Sequence, residues 1–126
     1  MNAQPDQSGA VSGAVRTFVG VMTGSSGPDG TSVLHPLAHI RIMPAGRQGR
    51  PRIVLDQNAE ALVAGLARGA GKLPGTPDEA QIVVEGIDHN IATARVQLGP
   101  AKVHLHLALM DGQWRVVTVL NWRAVP

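Results

Sequence analysis

Residues 102–122, KVHLHLALMDGQWRVVTVLNW, leave this chain the least freedom. From Lys102 to Met110 two residue sets alternate. Val103, Leu105, Leu107 and Leu109 fall on one face, and Lys102, His104, His106, Ala108 and Met110 on the other. A period of two is the signature of a strand with one buried face. Asp111-Gly112 follows, a dipeptide suited to a two-residue type I′ turn, which needs positive φ at both central positions. Residues 114–122 are the return strand. Read as a regular strand, it sets Trp114, Val116, Thr118, Leu120 and Trp122 on one face, and Asn121 with Arg123 on the other, near the mouth of a cavity. A hairpin this apolar belongs in the middle of a sheet. Four aliphatic residues in one register demand burial more strongly than two imidazoles do. The parity therefore predicts Val103, Leu105, Leu107 and Leu109 facing the core, with His104 and His106 turned outward.

The rest of the chain supplies what such a hairpin packs on. Residues 1–7 are polar and are expected to form a loose tail. From Ser8, a candidate N-cap, Val11, Val15, Phe18, Val19 and Met22 make one apolar stripe on a 3.6-residue period. Gly9, Gly13 and Gly20 each weaken that helix by about 1 kcal/mol relative to Ala, so tertiary packing must hold it. TGSSGPDGT (23–31) stops it. A helical turn over Thr31 to His35, ended by Pro36, leads to a half-buried strand LAHIRIMP (37–44), and a short strand RIVL (52–55) comes next. Asp56 is placed to cap a second helix with Ala59, Leu62, Val63, Leu66, Ala67 and Ala70 as its buried stripe, ended by Gly69 and Gly71. Strands at 81–88 and 91–98 join the hairpin in a meander, with turns at His89-Asn90 and Gly99-Pro100. Helices first and antiparallel strands last is an α+β arrangement.

A chain of 126 residues is one domain by size, here residues 8–126. The absence of cysteine excludes a disulfide framework and thiolate chemistry. The aromatics are Phe18, Trp114 and Trp122, so no tyrosine can serve as an acid or oxyanion donor. No run reaches the ~20 apolar residues of a membrane span, and MNAQPDQSGA lacks the basic start and apolar core of a secretory signal, so no membrane partner is expected and the cytoplasm is the expected compartment. Net charge is only +2, and the one basic cluster, Arg47, Arg50 and Arg52, sits among Gly, Pro and Gln with no aromatic beside it to stack a base. It reads as a solvated loop, and no nucleic-acid partner is expected.

Three local patterns carry a resemblance over residues 8–123. LHPLAHI (34–40) resembles an "HP-x-A" junction between second helix and first strand, ATARVQL (92–98) an "A-x-x-R-V" strand, and LALMDGQWRVVTVLNW (107–122) a closing "DG-x-W-x-V" hairpin. In this order and spacing they resemble the nuclear transport factor 2-like superfamily, nearest its lumazine-binding-like and polyketide-cyclase-like branches. The resemblance implies a cone-shaped α+β barrel, with N-terminal helices packed in a curved, mostly antiparallel sheet. It also implies a homodimer formed through the outer sheet face. The chain departs from the catalytic branches of that superfamily. It has no Tyr, residues 91–98 and 103–109 hold no Asp or Glu, and Val103 stands where an acidic residue is often found. A ketosteroid-isomerase-type mechanism needs a carboxylate base and an oxyanion donor.

The leading expectation is a protein that binds a small apolar molecule inside the cone without catalysis, with no cofactor and no metal. Val15, Phe18, Val19, Leu62, Leu66, Val96, Leu105 and Leu107 are its expected core, and Phe18, Met22, His39, Arg41, Leu62, Leu66, Val96, Leu105, Leu107 and Asn121 its expected pocket. His39 and Arg41 share a strand face and, turned inward, would hold an anionic group, Arg41 through a two-pronged contact. One alternative is a cyclase- or isomerase-like enzyme with His104 or His106 as proton carrier. Those two project from one strand face with Cβ atoms about 7 Å apart, half of a zinc site if His35, His39 or His89 joined them. A structural dimer with a filled cone is the other alternative. Asp88 and His89 point apart on a strand and can pair only at a turn.

Overall fold

The computed structural model describes residues 7–25, 28–45, 53 and 55–124. The expected tail 1–7 falls outside these apart from Gln7, as does the Arg47, Arg50 and Arg52 cluster.

Helix α1 spans Ser8–Thr23, and Val11, Val15, Phe18, Val19 and Met22 are all buried along it, as the period predicts. Its N-cap is Gln7, one residue before the expected Ser8. The Gln7 side chain serves elsewhere: its Oε1 accepts a hydrogen bond from the Trp114 indole N–H at 3.1 Å. At the other end Gly24 adopts a left-handed φ of 78°, and the Ser25 N–H donates back to the Gly20 carbonyl at 2.8 Å. That is the glycine-dependent way of satisfying the last carbonyls of a helix.

A 3-10 helix at Pro28–Val33 precedes strand β1, Leu34–Ala45. The helical turn thus lies earlier than expected, and His35 and Pro36 belong to the strand. Proline lacks the N–H that a ladder needs. Accordingly the pairing of β1 with its neighbour breaks between Leu34 and His39. Strand β2 is Leu55–Asn58; of the expected strand 52–55, Arg52 and Val54 lie outside the described residues. Asp56 therefore lies within a strand, and Asn58 caps helix α2 (Ala59–Ala67), its Oδ1 accepting from the Ala61 N–H at 2.8 Å. Ala59 and Leu62 of α2 are buried and Val63 and Leu66 half-buried, while Ala67 and Ala70 are exposed. The buried stripe is short because the helix is: it ends before the Gly69 and Gly71 positions, both at positive φ.

Strands β3 (Gln81–Asp88), β4 (Ile91–Leu98), β5 (Ala101–Met110) and β6 (Gln113–Ala124) form the expected meander. The six strands make one curved, unclosed sheet in the order β2-β1-β6-β5-β4-β3, antiparallel throughout except for the parallel β1–β6 pair. The helices occupy its inner side, where α1 packs against β3 and β6 and α2 against β1. Along β4, Ala92, Ala94, Val96 and Leu98 face in, and along β5, Ala101, Val103, Leu105 and Leu107 do. The hairpin parity is the predicted one, and the turn at Asp111 (φ 52°) and Gly112 (φ 76°) is left-handed at both positions.

Strand β6 differs from the sequence reading in one respect. His106 pairs with Thr118 but Leu107 with Val116, so Val117 is an extra residue opposite β5. This is a β-bulge. It reverses the strand's parity: Trp114 and Val116 face in before it, and Val119 and Asn121 after it. Thr118, Leu120 and Trp122 consequently lie on the outer face, so the two tryptophans do not share one.

Phe18 is fully buried at the centre of the core. Phe18→Ala is expected to cost about 3–5 kcal/mol. In urea unfolding this appears as a lower midpoint with unchanged slope; a midpoint equal to the wild type would show that Phe18 is not central.

Candidate functional site

The sheet presents two chemically different faces. On the inner face, one cross-strand row reads Leu55, Ile42, Asn121, Val103, Val96 and Ile82. Five members are aliphatic. Asn121 is fully buried, and among the described residues it is the one buried polar side chain. Neither its Oδ1 nor its Nδ2 has a hydrogen-bond partner. A buried polar group left so costs about 1–3 kcal/mol, and native structures rarely leave one without a reason.

Seven of the ten expected pocket residues are buried in this interior: Phe18, Met22, Leu62, Val96, Leu105, Leu107 and Asn121. Leu66 is half-buried against it. His39 and Arg41 are not there. Ala38 and Ile40 occupy the inner positions of β1 and are fully buried, so strand alternation sends His39 and Arg41 to the outer face. There both meet a carboxylate rather than offering an anion site. His39 Nδ1 lies 3.3 Å from Asp56 Oδ1, and Arg41 Nε 3.6 Å from Asp56 Oδ2. The hydrogen bond from His39 is the main cause that holds the Asp56 carboxyl below its ordinary value; desolvation opposes it, and the charges of Arg41 and His39 add to the lowering.

His104 and His106 are also exposed on the outer face. His106 Nδ1 is hydrogen-bonded to Thr118 Oγ1 at 2.5 Å. One outer row runs Thr93, His106, Thr118 and His39, and the next runs Arg95, His104, Leu120, Arg41 and Asp56. An open groove of about 490 Å³ is lined by His39, Arg41, Ile53, His104, His106 and Leu120. A second, of about 530 Å³, runs past His106 to Ile91, Thr93, Ala108 and Val117. Three histidines thus line one groove, His39 from β1 and the other two from β5. The parallel β1–β6 pairing brings them together, and no local pattern announces it. The described residues hold no group of three potential metal ligands. Asp88 and His89 do pair at their turn, Oδ1 to Nδ1 2.6 Å, but both side chains are largely exposed. Trp122 lies on the outer face with the Lys102 ammonium 5.4 Å from its ring centroid.

No family model and no curated protein matches the chain. Solved structures do. A nuclear transport factor 2-like protein of unknown function from Methylobacillus flagellatus KT superposes with a TM-score of 0.65 at 14% identity, covering 98% of this chain and 97% of its own. A protein of unknown function with a cystatin-like fold from Nostoc punctiforme PCC 73102 gives 0.62 at 11% identity, covering 98% and 95%. The beta subunit of a proposed aromatic-ring-hydroxylating dioxygenase from Novosphingobium aromaticivorans DSM 12444 gives 0.61 at 10% identity, covering 94% and 89%. The fold is the nuclear transport factor 2-like, cystatin-like α+β fold, as the three sequence patterns imply. Neither the lumazine-binding-like nor the polyketide-cyclase-like branch is singled out.

The carboxyl of Asp56 is expected to titrate below its ordinary value of 3.8, and His39→Ala to raise its midpoint, as followed by carboxyl-carbon NMR. Because the folded value is lowered, the contribution to stability is present above the ordinary value and fades as pH falls through the lowered one. An unchanged midpoint in the variant would remove His39 as the cause.

Proposed function

We propose that this chain binds a small, mainly apolar molecule between its helices and the inner face of its sheet, without catalysing a reaction on it. One observation carries the reading: among the described buried residues none is ionisable, and Asn121 is the one polar side chain. General acid–base catalysis needs a proton donor or acceptor within hydrogen-bond reach of the reacting atom. His104 and His106, the sequence candidates for that role, point the other way. An apolar interior with one polar point is the composition of a binding site that recognises shape and a single functional group. The fold neighbours of unknown function supply no competing chemistry.

The working form in this reading is a homodimer joined through the outer sheet face. That face exposes Ile91 (58%) and Leu120 (39%) in the two grooves and Val83 (41%) outside them. Leu120 lies between His104 and Arg41 in the central outer row. A two-fold interface needs a self-complementary patch of about 1,000 Å² or more, and a six-stranded face is large enough to supply it. A structural module is the second reading, favoured by the tight burial of the inner face and by the neighbour named as a beta subunit.

Native mass spectrometry of freshly purified protein is expected to show a dimer carrying a small molecule, with retention unchanged in His104→Ala and His106→Ala. Protein that is always empty, and takes up no apolar compound, would favour the structural module.

Leu120→Lys places an ammonium group beside Arg41, between it and His104. It is expected to weaken dimerisation at least about tenfold, an effect worth about 1.4 kcal/mol. Size exclusion with light scattering reads this directly, and an unaltered dimer would move the interface off the sheet.

A further inference from the structure

We infer that the inner-face ligand carries a neutral cis-amide edge, as in a lactam, an imide or a ring amide, and that Asn121 reads it. The inference rests on the binding reading above and names its ligand class. Two orphaned atoms on one side chain carry it. Asn121 Oδ1 is an acceptor and Nδ2 a donor, both fully buried and both without a partner. Its strand neighbours across the ladder are Val103 and Ile42, which have no side-chain polar atom to offer.

The matching group must present one donor and one acceptor side by side. A cis amide does so, and pairs with a carboxamide through two parallel hydrogen bonds. A ketone, ether or ester offers acceptors alone and leaves Nδ2 satisfied but Oδ1 orphaned. An ionised carboxylate has the same defect, and its charge would be stranded among Val103, Val96, Leu105 and Ile42. The ligand is therefore neutral, with an apolar body toward Phe18 and Leu105 and its amide edge toward β6. The row that holds Asn121 runs out to the β2 edge of the sheet, where Ile42 is half-buried and Leu55 is 40% exposed.

The test is isothermal titration calorimetry with three compounds of one shape: a benzo-fused six-membered lactam, the matching ketone tetralone, and the parent hydrocarbon tetralin. The lactam is expected to bind at least about tenfold more tightly than tetralone, because the ketone leaves a buried acceptor unpaired. In Asn121→Leu that preference disappears while tetralin binding persists. The same variant, without ligand, should melt about 2–5 °C higher, since it removes an unpaired polar group. Should Asn121→Leu not fold, Asn121→Thr suits a strand and keeps a single hydroxyl; it too must lose the lactam preference. Equal binding of lactam and tetralone would overturn the amide assignment and leave the binding reading standing. Failure of all three compounds to bind would overturn both.

Discussion

The structure depends on burying one face of β5. Val103, Leu105 and Leu107 are each almost fully withdrawn from water, and they join α1, β4 and β6 in one continuous core. Burying a leucine or valine side chain is worth about 1.5–3 kcal/mol, so a one-residue slip of β5 would lose all three and bury two imidazoles instead. That asymmetry locks the register of the central strands, and with it the direction of every other side chain on the sheet. α1 has little intrinsic preference to be helical with Gly9, Gly13 and Gly20 in it; it persists because Val11, Val15, Phe18 and Val19 complete the same core.

Where function is concerned, the two sheet faces divide the chemistry cleanly. Every described histidine lies at the surface, and the described buried side chains are apolar apart from Asn121. A fold shared with proteins as little as 10–14% identical says nothing of substrate. What the faces say is more specific. Titratable groups gather where a partner subunit would meet them, at His39, Arg41, Asp56, His104 and His106. None of the described buried side chains carries a charge.

Much of this was legible in the residues themselves. The α1 stripe, the four-strand meander, the left-handed Asp111-Gly112 turn and the outward parity of His104 and His106 all follow from local periodicity. So does the fold, once the three patterns are read in order. What escaped depends on longer-range or subtler terms. Asp56 looks like a helix cap by residue type, yet Asn58 takes the role because Asp56 is drawn into β2 opposite Arg41. His39 and Arg41 were expected to face the cone, and the competing claim of Ala38 and Ile40 on the inner face decided otherwise. No local signal could show that β1 lies parallel to β6, since that pair joins residues about eighty positions apart.

Val117 explains both the largest misreading and the most unusual feature of the interior. A regular β6 would carry Trp114, Val116, Thr118, Leu120 and Trp122 inward and turn Asn121 to solvent, where its amide would find water without cost. One extra residue exchanges the two sets. It takes Leu120 and Trp122 out of the core and sets Val119 and Asn121 into it. A core chosen for stability alone would gain nothing from the exchange, because it gives up two large apolar side chains and buries an unpaired amide in return. The exchange is intelligible if both faces have work to do. The outer face acquires an apolar residue between His104 and Arg41, as an interface requires. The inner face acquires a single polar point in an otherwise aliphatic row, as selective binding of a neutral ligand requires. A Val-Val doublet at 116–117 is the trace this leaves in the sequence, visible only once the register of β5 against β6 is known.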